Sequence, residues 1–137
     1  MRLFFFLLLL VSIDAKSQEN SIVWTQGISL NLEENEVWNI DILNNIILTR
    51  RNVIEKYDSS GVLKFSQSIR SLGKLAELEP LNFMKIYAFS EEQQMLCVFD
   101  NTLTLSEKCL DLSEFGIGMA VHIASSIQSD RVWVLDQ

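Results

Sequence analysis

Three short phrases recur in register along the chain. They are Ile46-Ile47-Leu48-Thr49-Arg50, Lys85-Ile86-Tyr87-Ala88-Phe89-Ser90 and Arg131-Val132-Trp133-Val134-Leu135-Asp136. The first two are each followed by a second apolar run that ends in an aspartate: residues 53–57 before Asp58, and residues 95–99 before Asp100. The spacing of roughly 40 residues is the period of a four-stranded antiparallel unit repeated in tandem. A repeat of this kind buries its apolar faces only by stacking on its neighbours, and this limits the chain to a few all-β architectures.

Local patterns fit that reading. Residues 28–32 alternate, with Ile28, Leu30 and Leu32 on one face, so a strand is expected within 22–32. Residues 37–43 alternate again, around Trp38, Ile40 and Ile42. Residues 46–49 form a continuous apolar run, as expected of a strand buried on both faces. Asp58-Ser59-Ser60-Gly61 is a hairpin turn: Asp and Ser cap their own backbone and Gly supplies a positive φ. Residues 62–68 follow as a more polar strand. The second unit opens with Leu75, Leu78 and Leu81. Their spacing also suits a helix, but Pro80 opposes a long one. Strands are expected at 85–90 and 94–99, a hairpin at 100–102, and a fourth strand through Cys109 to Leu112. In the third unit only residues 119–124 and 132–135 read as strands. The expected units are therefore about 36–68, 75–112 and 119–137, with 22–32 as a candidate closing strand.

The expected fold is all-β, an incomplete β-propeller of about two and a half four-stranded antiparallel blades. Closed propellers use at least about four blades. The chain is therefore read as a fragment of a longer product, with completion by oligomerisation as the alternative. Open strand edges would favour self-association.

Composition narrows the setting. The 137 residues carry a net charge of −7, and an acidic chain is repelled by nucleic acid. Arg2 followed by an apolar run over residues 3–11 reads as a secretory signal. Ala15 and Ser17 stand at −3 and −1 of a cut before Gln18. Loss of 1–17 removes Arg2, Lys16 and Asp14 from the 11 basic and 18 acidic residues, which leaves a net charge of −8. No membrane span is expected in residues 18–137.

The phrases Asn82-Phe83-Met84-Lys85-Ile86-Tyr87, Gln93-Gln94, Phe99-Asp100-Asn101 and Trp133-Val134-Leu135-Asp136-Gln137 resemble a family of exported, uncharacterised bacterial proteins with propeller-like repeats. The resemblance covers about residues 44–137 with the order of phrases preserved. More loosely, the pattern is similar to that of six-bladed NHL-type and WD40-like propellers. The resemblance implies a propeller-type fold and export to the periplasm or cell surface. It implies no catalytic residue.

Chemistry-bearing residues are few. Cys97 and Cys109 are the only cysteines, and an exported chain with an even count can oxidise them. A loop centred near Leu103 sets them opposite each other. A turn equivalent to 58–61 centres one residue earlier and offsets them. They are thus a candidate disulfide or two separate small core residues. His122, the single histidine, has no second histidine for a His-rich metal site and no nucleophile motif beside it. Asp58, Asp100 and Asp136 follow strands and read as backbone caps. Asp41 or Glu77 is the candidate for an inward acid of the kind a propeller glycosidase uses, although that chemistry needs a defined pair. Trp24, Trp38, Trp133, Tyr57 and Tyr87 read as packing between sheets or as a stacking surface for a ligand. Gly116-Ile117-Gly118 lacks the third glycine of a nucleotide loop. No catalytic, cofactor or metal residue is assigned. The expected function is a non-enzymatic binding or scaffolding module of the bacterial cell envelope, its partner a protein or envelope component. The alternative is a fragment of a propeller hydrolase.

Overall fold

A computed structural model describes residues 23, 25–80, 84–126, 128 and 131–137. The leader expected at 1–17, together with Trp24, Asn82 and Phe83, lies outside the described residues. The described residues form ten strands, two short 3-10 turns and no α-helix. Among them, no helix is long and apolar enough to cross a membrane.

The strands make three antiparallel sheets, each a simple meander. The first sheet contains β1 (Trp38–Ile40), β2 (Ile46–Arg50), β3 (Val53–Tyr57) and β4 (Leu63–Ser68). The second contains β5 (Glu77–Pro80), β6 (Lys85–Ser90), β7 (Met95–Asp100) and β8 (Leu110–Asp111). The third pairs β9 (Ala120–Ser125) with β10 (Val132–Asp136). Residues 25–32 carry no strand pairing. The alternation read there as a strand instead sets Ile28, Leu30 and Leu32 over Ile46 and Leu48 of the first sheet. Pro80 closes β5 and the segment is extended, so the helical spacing around Leu75 and Leu78 is overridden.

Period-two alternation explains how the sheets stack. On β6 and β7, Ile86, Ala88, Cys97 and Phe99 join one core with Ile47 and Ile54 of the first sheet. Their neighbours Tyr87, Phe89 and Leu96 join a second core with Ala120 and Ile123 of the third sheet. The middle sheet is thus buried on both faces and the third sheet on one, while the first sheet is buried on one face and, at Leu48, partly on the other. The first strands stand side by side, with β5 between β1 and β9. In the first sheet the outermost strand β4 is exposed along its whole length, which is why its sequence is the more polar.

The hairpins repeat a single device. Asp58 Oδ1 accepts hydrogen bonds from Ser60 N (2.9 Å), Ser60 Oγ (2.6 Å) and Val62 N (3.0 Å). Asp100 Oδ1 accepts them from Thr102 N (2.8 Å), Thr102 Oγ1 (2.7 Å) and Thr104 N (2.9 Å). The fourth residue of each turn has positive φ, +83° at Gly61 and +62° at Leu103. Leu103 is fully buried there. Asp136 does not belong to this set. It closes β10, in the register position of Ser90, and its carboxylate accepts from Met119 N (2.6 Å) and Gly118 N (3.2 Å).

Candidate functional site

The segment leading into β1, strands β5 and β9 with the segments leading into them, and the turn at residues 91–92 border a cleft of about 650 Å³. Its polar lining is Asn35, Glu36, Lys74, Glu77, Glu91, Glu92 and His122. A related latch holds each wall to its own sheet. The last residue of the second strand reaches back to the entry of the first. In the first sheet Arg50 Nε lies 4.0 Å from Glu36 Oε1. In the second, Ser90 Oγ donates to Lys74 O (3.1 Å). In the third, Asp136 receives the amides of Gly118 and Met119. Those amides hold the Asp136 carboxyl below its ordinary value.

Side chains of the middle sheet then join the walls. Glu77 accepts from Ile123 N through Oε2 (2.6 Å) and pairs through Oε1 with His122 Nδ1. Gln94, which has positive φ at the end of the 91–94 turn, donates to Ala120 O (3.0 Å) and accepts from Ala120 N (2.7 Å). On the other side Asn39 Nδ2 donates to Leu78 O (2.8 Å) and ties β1 to β5.

Glu36 is the most enclosed acid of the cleft, with its side chain 7% exposed. Its Oε2 accepts from Glu33 N (2.8 Å), while Oε1 receives no hydrogen bond among the described residues. Glu91 and Glu92 are exposed on the rim. Four carboxylates against one lysine give the cleft a negative field.

The two inward acids are not brought together. Glu77 lines the cleft, but Asp41 is buried as the partner of Lys56. Lys56 Nζ lies 2.9 Å from Asp41 Oδ2 and also bonds Asn101 of the second sheet. Asp41 accepts from Leu43 N and Asn45 N (2.9 Å each) and from Asn45 Nδ2 (2.8 Å). Burial pushes its carboxyl up, but the bonds from Asn45 and Lys56 outweigh this and hold it below the ordinary value.

His122 is exposed on β9 and is held by Glu77. Trp38 and Trp133 do not pack between sheets as expected. They lie on the outward faces of the first and third sheets and are 54% and 70% exposed. Tyr87 is buried in the second core. Tyr57 donates to Glu55 Oε2 (2.6 Å), and that bond pushes its hydroxyl pKa up.

Cys97 and Cys109 are joined by a disulfide, their Cα atoms 4.3 Å apart. The turn does centre early, as in the first sheet. However, Phe99 faces Leu105 near the turn, whereas Leu96 faces Leu110 further on. The returning chain thus carries two extra residues, and this slip sets the cysteines opposite each other.

Among the described residues, no group of three or more His, Cys, Asp or Glu is arranged to hold a metal ion. Compared with protein-family models, curated proteins and solved structures, the chain has no significant match.

Proposed function

We propose that the chain is a non-enzymatic binding module of the bacterial cell envelope, built as part of a β-propeller. Its binding site is the acidic cleft between the first strands. The observation that carries this reading is the convergence of three repeated sheets on one cleft, each wall latched by its own second strand. Stacked four-stranded meanders whose first strands adjoin are the arrangement of propeller blades around an axis. The Cys97–Cys109 disulfide supports an oxidising compartment, and with it export. The negative lining favours a partner that presents basic or hydrogen-bond-donating groups. Glu77 is engaged by His122 and Ile123, so it serves as a strut between sheets rather than as a free general base.

The test is a comparison of the full chain with its Glu91→Lys/Glu92→Lys variant as baits for envelope extract. Both residues are exposed, so the fold is retained. The expected result is a defined component held by the parent and bound at least about tenfold more weakly by the variant. Equal capture by both baits would remove the cleft from the reading. Hydrolysis of glycosides or esters that disappears in a Glu77→Gln variant would replace it with the hydrolase.

A further inference from the structure

We infer that the outward face of the third sheet binds the outward face of the first sheet of a second copy, so that copies associate head to tail. Register carries the argument. Trp133 and Leu135 stand on β10 where Tyr87 and Phe89 stand on β6. In the middle sheet those positions are 6% and 0% exposed, because the third sheet covers them. In the third sheet they are open. At the other end the outward face is open at Trp38, 54% exposed, whereas Leu48 is 1% exposed beside the segment that carries Ile28, Leu30 and Leu32. Trp38, Ile46 and Leu48 occupy the positions of Leu78, Ile86 and Ala88, which the first sheet covers in the middle sheet.

The third sheet's open face is therefore the kind that receives a following sheet, and the first sheet's face, open around Trp38 and flanked by residues 28–32, the kind that receives a preceding one. Joining them at Trp38 follows the register of an interface the chain already makes twice, with residues 28–32 forming the edge of the receiving groove. The receiving side is also shaped for it. Trp38, Ile46 and Leu48, with Ile28, Leu30 and Leu32 laid beside them, line an apolar groove of about 240 Å³. That is room for one large side chain, and Trp133 is the large apolar side chain that the opposite face offers. Exposed tryptophans on two separate faces are costly to leave in water and typical of buried anchors at interfaces. The contact joins two different patches, so it forms a ring or a filament according to the rotation between copies.

The test is sedimentation of the full chain across a concentration series, beside Trp38→Glu and Trp133→Glu variants. The parent should associate in whole multiples of the protomer, more strongly at higher salt because the copies are both acidic. Each variant alone should bind at least about tenfold more weakly. Mixed in equal amounts, the two variants should regain a dimer and nothing larger, since one intact copy of each face remains. That recovery also shows that both variants fold. A parent monomeric at every concentration overturns the inference. So does association unchanged in both variants, which would place the contact at an open strand edge or in residues 3–11. Dimers of Trp38→Glu alone would mean that two third sheets meet each other, and would overturn it equally.

Discussion

The first and second sheets share a meander and a capped hairpin, yet different chemistry holds each in place. In the second sheet β7 presents Cys97 and Phe99 to one neighbour and Leu96 and Val98 to the other. In the first sheet the position of Val98 is taken by Lys56, whose ammonium is buried against Asp41 and Asn101. The position of Cys97 is taken by Glu55, which faces outward and lies 3.6 Å from Arg50. Backbone pairing fixes the shape of both sheets. The side chains that anchor one sheet to the next are free to be apolar or ionic, provided each buried polar group finds its partner, and the Cys97–Cys109 disulfide adds a covalent closure within the second sheet.

The largest effect should come from breaking the ionic anchor. Asp41→Ala leaves Lys56 charged and enclosed, and should cost about 3–5 kcal/mol in urea denaturation. A loss below about 1 kcal/mol would mean that the two sheets are anchored by their apolar contacts alone.

The covalent closure of the second sheet's hairpin comes next. Replacing Cys97 and Cys109 with alanine opens a short loop and should cost about 3 kcal/mol. Hydrogen exchange should quicken in β7 and β8 and stay unchanged in β2 and β3. Equal loosening of both sheets would show that the disulfide supports the whole stack rather than one hairpin.

The smallest effect separates the hairpin caps. The hydrogen bond from Ser60 leads the causes that hold the Asp58 carboxyl at about 2, below its ordinary 3.8. The folded chain therefore takes up that proton less readily than the unfolded chain does. The stabilisation is complete above pH 3.8 and disappears as pH falls through about 2. Asp58→Ala should flatten the acid limb of the stability curve in that window. An unchanged limb would assign acid sensitivity to Asp100, held low first by Thr102, and to the other capped aspartates.

The sheets themselves were legible because period-two alternation and the Asp-capped turns are local signals. Residues 46–50, 85–90 and 132–136 announce three equivalent strands before any contact is known. Burial was less legible. Trp38 and Trp133 lie within apolar strands, but exposure depends on whether a neighbouring sheet covers that face, and nothing local records this. Lys56 shares the buried face of β3 with Ile54, but a charged side chain at that position reads as solvent-facing. It is buried because Asn101, far along the chain, closes over it. The cysteine register was hidden in a two-residue slip after the turn. The strut Glu77–His122 joins residues 45 apart, and neither carries a spacing signal.

Gln94 gives the cleft a mechanical property. Its carboxamide engages both backbone groups of Ala120, in the way a neighbouring strand's peptide unit would. The rim that carries Glu91 and Glu92 is therefore coupled to β9 rather than hinged on its own turn. Whatever shifts the third sheet, an arriving copy of the chain included, must carry the acidic lip along with it.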